Sequence, residues 1–211
     1  MRQFNGLFPA VVIDNKDPDD IGRVKVRIPR VGDETWARIA TLMAGNDRGT
    51  WFIPDVNDEV LVAFEEGTVG HAYVIGGLWS ETSSPPEKMD TNNNKKVLRS
   101  RNGVKITLDD QSGQENFIVE TPGGQKITLK DGPGSLEIKD SNGNSVKLGT
   151  NGISVNASAK VTINASQVEV NSGAVTVNAG MSKFSGVVQC DTLISNSVIS
   201  ASYTPGAGNI L

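Results

Sequence analysis

Two rhythms of apolar and polar residues divide the chain. Near the start, Arg23-Val24-Lys25-Val26-Arg27-Ile28 alternates strictly, with Val24, Val26 and Ile28 on one side and the basic residues on the other. A period of two marks a strand with one buried face. Pro29 ends it. Phe8–Ile13, Trp36–Leu42, Val60–Phe64 and Tyr73–Ile75 are further strand candidates, bounded by Gly, Pro, Asx or acidic residues. Asn15 to Asp20 reads as a loop for the same reason. Five or six strands within the first 80 residues predict a small barrel.

Residues 81–97 break this pattern. Ser, Thr, Pro and Asn dominate there, no apolar period survives, and the segment reads as an exposed, partly extended linker. From about residue 104 a second rhythm begins: an apolar–x–apolar triplet, then a turn. The triplets start at Ile106, Phe117, Ile127, Leu136, Val146, Ile153, Val161, Val168 and Val175. Successive starts are 11, 10, 9, 10, 7, 8, 7 and 7 residues apart, separated by Gly-Gly, Asn-Gly and similar turn pairs.

Short repeats of this kind predict a β-solenoid. One triplet and one corner do not bring a chain back to its starting direction, so a single chain does not close a layer. Three chains, each supplying one side of a triangle, close it. On this reading a lone chain leaves every strand edge bare and an apolar stripe in water. Interleaving three copies pairs the edges and buries the stripe. Leu129, Ile138, Leu148, Val155, Ile163, Val170 and Val177 are then expected on the shared axis. About ten layers at roughly 4.8 Å give a needle on the order of 50 Å long. An ordinary antiparallel meander is the competing reading of alternating strands. Nine triplets in succession, with no amphipathic helix after residue 98 to cover them, favour the intertwined trimer.

Composition narrows the function classes. Of 211 residues, 20 are basic and 24 acidic, for a net charge of −4. Residues 1–80 hold 8 basic and 12 acidic side chains and residues 81–211 hold 12 of each, so neither part has the basic surface that phosphate binding needs. Residues 151–211 carry only Lys160, Glu169, Lys183 and Asp191 as charges. A polar but nearly uncharged surface loses less on entering a bilayer than a charged one. No run approaches the roughly 20 apolar residues of a membrane helix. The N-terminal residues show no signal-peptide pattern, which leads to the expectation of export by another route.

Candidate chemistry is sparse. His71 is the single histidine, expected at a strand end rather than on a metal. Cys190 is the single cysteine, so no intrachain disulfide forms, and its default role is that of a small buried residue. Gly132-Pro133-Gly134 and Gly206-Ala207-Gly208 lack the Lys and the helix of a phosphate loop. The acidic pairs Asp19-Asp20, Glu65-Glu66 and Asp109-Asp110 read as solvated turns and strand ends. Trp36, Trp51, Phe52, Phe64 and Trp79 hold most of the aromatic mass of the first segment and are expected chiefly in its core, with docking to another protein as the alternative. No catalytic residue, cofactor or metal is expected.

Three segments then resemble the spike proteins of contractile injection machines: phage baseplate protein V, the VgrG tip of type VI secretion, and extracellular contractile particles. The first runs from Gly22-Arg23-Val24 through Trp36-Ala37-Arg38, Pro54 and Asp58–Phe64 to Val74–Trp79. It resembles the OB-fold domain of that family, with Asn57 where the family often has Gly. The second, Asn94–Gly103 with Asp109-Asp110, resembles the start of the family's β-helix. The third, Ser202 to Leu211, resembles the tip of the particle-type spikes.

The resemblance implies an all-β homotrimer: an OB-fold collar over residues 1–80, a linker over 81–97, an intertwined triple-stranded β-helix over 98–200 and a tip over 201–211. It implies a structural spike, not an enzyme, which seats on a hub protein and punctures a target envelope. Its partners would be two further copies, the hub, transiently the target membrane, and a PAAR-type tip protein. Tyr203, Pro205, Gly206, Ala207, Gly208, Asn209, Ile210 and Leu211 would form the platform for that tip protein. No hub domain precedes the barrel, so the hub is expected to be a separate protein. The particle would assemble in the bacterial cytoplasm and act outside the cell. The alternatives are the stalk of a trimeric receptor-binding fibre and a spike-borne cell-wall hydrolase.

Overall fold

A computed structural model describes residues 5–30 and 32–201. Among them there is no α-helix, and no helix is long and apolar enough to cross a membrane. The chain divides into two units, residues 1–161 and 162–211.

The first unit opens with seven strands and one 3-10 turn. These are β1 (Leu7–Asp14), β2 (Val24–Ile28), β3 (Asp33–Ile39), the short pair β4 (Ala44–Gly45) and β5 (Arg48–Gly49), β6 (Glu59–Phe64) and β7 (Ala72–Leu78), with the turn at Glu65–Gly67. Five of them close a barrel in the order β1-β2-β3-β7-β6, and β6 pairs back onto β1. Only β3 and β7 run parallel. This is the five-stranded Greek-key barrel of OB type. Closure needs local bends. Irregularities lie between Val12 and Asp14 on β1 and between Leu61 and Val62 where β6 meets β7.

Alternation fills the barrel. Ala10, Val12, Val24, Val26, Ile28, Ala37, Val60, Val62, Ala72 and Val74 are all at most 2% exposed, with Phe8, Ile39, Ile53 and Phe64 packed around them. The core is therefore small and aliphatic. That corrects the expectation for the aromatics: Phe64 packs on the core, Trp36 is half-buried, and Trp51, Phe52 and Trp79 are more than 70% exposed. Small barrels taper, and short β-branched side chains from five converging strands leave no room inside for indole rings. Asn57 has φ of 78°, the left-handed conformation expected for a residue in place of Gly, and its N–H donates to the Val12 carbonyl at 2.8 Å.

A second sheet follows in the same unit: β8 (Lys95–Arg99), β9 (Lys105–Asp109), β10 (Asn116–Glu120), β11 (Lys126–Lys130), β12 (Ser135–Lys139), β13 (Ser145–Gly149) and β14 (Gly152–Asn156). Its order is sequential, and all neighbours are antiparallel. β8 begins inside the segment read as linker and takes its last three residues, Lys95–Val97. The expectation of bare strand edges is corrected here: β9 to β13 each have a partner on both sides within one chain. The reason lies in the turns. Each of the six hairpins holds one glycine with φ between 55° and 106°: Gly103, Gly113, Gly124, Gly132, Gly143 and Gly152. Such a residue lets the chain reverse, whereas a mere corner would send it on to a neighbouring chain. At Gly132 the requirement is also steric, since a Cβ there would lie 2.1 Å from the Gly113 carbonyl oxygen.

Two polar contacts tie this sheet to what precedes it. Arg101 in the first hairpin pairs with Asp55 of the barrel at 2.7 Å. Lys105 on β9 lies 3.4 Å from Glu87, whose carboxyl is held below its ordinary value chiefly by the charge of Lys95 and by the hydrogen bond from Lys105.

In the second unit, the described residues 162–201 form no strand and are exposed throughout. Bends recur at Ser166, Gly173 and Gly180, seven residues apart, and then at Gly186, Asp191, Asn196 and Ala201, five apart.

Candidate functional site

The feature that stands out is an uncovered apolar face. In β9 to β14 the two apolar members of each triplet project to one side of the sheet, because alternate residues share a face. The register lines them up in two files. One file is Leu98, Ile106, Val119, Ile127, Ile138, Val146 and Val155; the other is Leu108, Phe117, Leu129, Leu136, Leu148 and Ile153, with Lys96 at its start. Ten of these thirteen apolar side chains are between 36% and 72% exposed. Part of the first file lines a groove of about 610 Å³ with Val161 at its end. The opposite face carries Thr107, Ile118, Thr128, Glu137, Lys147 and Ser154 in one register file and is mixed in character.

A continuous apolar face of this length marks an interaction surface, since scattered exposed hydrophobes do not align along seven strands. Of the expected axis residues, Leu129 and Leu148 fall in one file and Ile138 and Val155 in the other. The antiparallel register thus makes both triplet members equivalent, where the sequence reading singled out the second. Ile163, Val170 and Val177 lie in the second unit and are exposed there. The expected tip residues, Tyr203 and Pro205 to Leu211, lie outside the described residues.

The barrel surface offers a second apolar area. Ile21, Met43, Trp51, Phe52 and Ile53 line a recess of about 560 Å³ formed by the connection between β3 and β6. Gly22 forms its floor, and a Cβ there would come within 3.2 Å of the Trp51 ring.

Beside it, the loop between β1 and β2 is locked by one carboxylate. Asp17 accepts the amides of Asp19 at 3.1 Å, Ile21 at 3.1 Å and Arg23 at 3.0 Å, and the Arg23 guanidinium at 2.7 Å. Arg23 also pairs with Asp19 and stacks over the Trp36 ring at 5.7 Å. The Arg23 hydrogen bond above all holds the Asp17 carboxyl well below the usual carboxylate range. Folding therefore favours its ionised form. That contribution is complete above roughly pH 4, the ordinary aspartate range, and is lost as pH falls toward the folded value. Asp17→Asn should lower the barrel's thermal midpoint at pH 7, and the gap to the parent should narrow progressively as pH falls from about 4 to 2. A gap that stays constant across that range would remove Asp17 as its source.

The remaining candidates do not gather. His71 is exposed at the start of β7, Cys190 is exposed, and among the described residues no three His, Cys, Asp or Glu side chains are placed to hold a metal. Glu65 accepts the Tyr73 hydroxyl at 2.7 Å, and Asp110 faces Lys96 at 3.9 Å. Gly132-Pro133-Gly134 is the turn between β11 and β12. The apolar periodicity missed β8, which only the resemblance over Asn94–Gly103 covered, and sequence reasoning missed the β3–β6 recess. For β8 the signal was Val97-Leu98 between Lys95-Lys96 and Arg99, too short a run to show a period.

Comparison with known proteins bears on the same two parts of the chain. Residues 8–79 match the type VI secretion system/phage-baseplate injector OB domain, and residues 116–176 match the phage baseplate V C-terminal trimerisation domain. The type VI secretion system spike protein VgrG3 of Vibrio cholerae is 28% identical over 113 residues, covering 48% of this chain and 11% of that protein. Spike protein VgrG1b of Pseudomonas aeruginosa is 25% identical over 140 residues, covering 57% of this chain and 19% of that protein. The actin cross-linking toxin VgrG1 of Vibrio cholerae is 28% identical over 113 residues, covering 48% of this chain and 10% of that protein. The matched segments thus span only a tenth to a fifth of these relatives. The injector barrel and the trimerisation segment follow one another on one chain, and that chain belongs to the family of VgrG-like baseplate spike proteins.

Proposed function

We propose that three copies of this chain form the central spike of a contractile baseplate, with the barrels as a collar and the sheet and the residues beyond it as a needle. The observation that carries this reading is the double file of aliphatic side chains left open along β8 to β14. At about 25 cal/mol per Å² of apolar surface removed from water, two further copies gain by covering it. The match to a trimerisation domain over residues 116–176 supports three as the number.

The division into collar (1–80), linker (81–97), needle (98–200) and tip (201–211) belongs to this proposal, with β8 moving the start of the needle back to Lys95. So do the finer roles. Exposed Trp51, Phe52 and the recess around them suit a collar that seats on a separate hub protein. The scarcity of charge after residue 151 suits a needle that crosses an envelope. The C-terminal segment takes a PAAR-type tip protein by family resemblance. The role is mechanical rather than enzymatic: relatives are named as spike proteins, and the matched part is a small share of the one named as a toxin. The particle acts outside the cell that makes it.

Light scattering on the purified chain tests the assembly. The expected mass is three times the 22.4 kDa chain, and a chain ending before residue 98 should be monomeric or weakly associated. In images of the particle, a tag on the chain should sit on the tail axis. A folded single chain in dilute buffer would overturn the reading.

A further inference from the structure

Three hairpins of the second sheet turn on an Asn-Gly step: Asn102-Gly103, Asn142-Gly143 and Asn151-Gly152. A fourth, Asn5-Gly6, stands before β1 and belongs to no hairpin of that sheet. Asparagine followed by glycine is open to a reaction within its own backbone. Hydroxide takes the proton of the glycine N–H, and the nitrogen's electron pair attacks the asparagine Cγ. An N–C bond forms, the bond from Cγ to Nδ2 breaks, and Nδ2 leaves as ammonia with a proton from water. A second water opens the resulting cyclic imide at either carbonyl, giving aspartate or isoaspartate. We propose that Asn142-Gly143 is a self-modification site of the native chain. It converts ahead of the other two hairpin steps, and its conversion loosens the place where the chain leaves the sheet. The inference concerns one chain and does not depend on the number of copies.

The attacking nitrogen is free at this turn alone. A backbone N–H held in a hydrogen bond reacts only after its turn opens. The Gly103 N–H donates to the Ser100 carbonyl at 2.9 Å, and Gly152 stands in the ladder opposite Gly149. The corresponding turn without asparagine is closed in the same way, with the Gly124 N–H donating to the Thr121 carbonyl at 3.0 Å. The Gly143 N–H has no acceptor among the described residues. Asn142 and Gly143 are both exposed, so hydroxide and water reach them. The space around the nitrogen is open as well: a Cβ on Gly143 would meet only the Ser158 Cβ, at 3.9 Å. The attacked carboxamide is equally free to turn. Asn142 holds it by one long hydrogen bond, from Nδ2 to Asp140 at 3.4 Å. Asn144, two residues on, has both ends engaged. Its Nδ2 donates to Asp140 at 2.7 Å, and its Oδ1 accepts the Ser158 N–H at 2.9 Å and the Ser158 hydroxyl at 3.2 Å.

The same contacts carry the effect outward. Asp140 anchors the turn, accepting the amides of Asn142 and Asn144, each at 2.9 Å. The hydrogen bond from the Asn144 side chain above all holds the Asp140 carboxyl below its ordinary value, so it is ionised at neutral pH. A carboxylate at position 142 replaces a donor to Asp140 by a like charge. Isoaspartate adds a main-chain atom to the tight connection between Lys139 and Ser145 as well. Asp140 orients Asn144, and Asn144 holds Ser158, just beyond the end of β14 at Asn156. A disturbed Asp140 therefore releases the chain at its exit from the sheet.

Timed incubation of the full chain in mildly alkaline buffer, followed by peptide mapping, tests the site. Conversion is read from the mass gained when the amide NH2 becomes OH and from the separation of aspartate and isoaspartate peptides. A sample unfolded in urea supplies the reference, in which the three hairpin steps should convert alike. In the native chain Asn142 should convert about tenfold faster than Asn102 and Asn151, whose turns must open first. No conversion at Asn142, or equal native rates at the three steps, would overturn the site. For the consequence, hydrogen exchange at the Ser158 amide should run several times faster in the Asn142→Asp chain than in the parent. Asn142→Gln keeps the carboxamide, closes its imide ring far more slowly, and should match the unconverted parent. Aged parent chains, separated by charge from unconverted ones, give the same reading without a substitution. Ser158 exchange that is unchanged in both the Asn142→Asp and the aged chains would overturn the link to the chain's exit.

Discussion

Replacing Leu129 and Ile138 together by aspartate should convert the assembly from three chains to single chains while the barrel stays folded. The two residues sit on neighbouring strands, one in each apolar file, and both are nearly half exposed in the lone chain. Each substitution acts three times in a trimer. Burying a Leu or Ile side chain is worth about 1.5–3 kcal/mol, so six lost side chains forfeit on the order of 10 kcal/mol. The new carboxylates would enter an otherwise aliphatic seam, and each unpaired buried charge costs several kcal/mol more. No trimer held by side-chain contact survives losses of that size. Light scattering should give 22.4 kDa, a third of the parent's value, with the tryptophan fluorescence of the barrel unchanged. Thr128→Asp, on the outer face, should leave three chains. A double-aspartate variant that keeps the full mass would show that the files face solvent.

The second large effect is expected inside the barrel. Ile28 ends β2, is fully buried, and is the largest side chain in a core otherwise made of Val and Ala. Ile28→Ala should cost about 2–5 kcal/mol, because the removed atoms leave a cavity that five hydrogen-bonded strands cannot collapse to fill. Against a typical stability of about 5–15 kcal/mol this is a large fraction. All three tryptophans, Trp36, Trp51 and Trp79, lie in or beside the barrel, so their fluorescence in urea reads barrel unfolding in the full chain. Phe52→Ala removes a bigger side chain from an exposed position and should move the transition by no more than about 0.5 kcal/mol. Equal effects of the two variants would contradict the aliphatic core.

These two predictions separate what holds the two parts together. The barrel is self-sufficient: its strands close on themselves and its core has no exposed apolar seam. The second sheet satisfies its backbone but not its side chains. Residues 162–201 satisfy neither alone. Dependence on partner chains therefore rises along the chain, and the match to the trimerisation domain, residues 116–176, spans the transition.

Much of this was legible in the order of residues. Strict alternation at Val24, Val26 and Ile28 marks buried positions of β2, because a strand has period two whatever surrounds it. The triplets from Ile106 onward mark the apolar face of the second sheet for the same reason, and the left-handed place of Asn57 followed from its chemistry. Alternation does not say which strand lies beside which. Triplet steps of 7 to 11 residues fit a hairpin and a corner equally well, and the step of seven from Val146 to Ile153 is a hairpin. Only the backbone conformation at the glycines decided that the chain turns back on itself up to Asn156, because left-handed φ is open to glycine but not imposed on it. Likewise Trp51 and Phe52 are hydrophobic enough for a core. The narrow interior of five converging strands, a property of the closed barrel and of no local segment, put them on the outside.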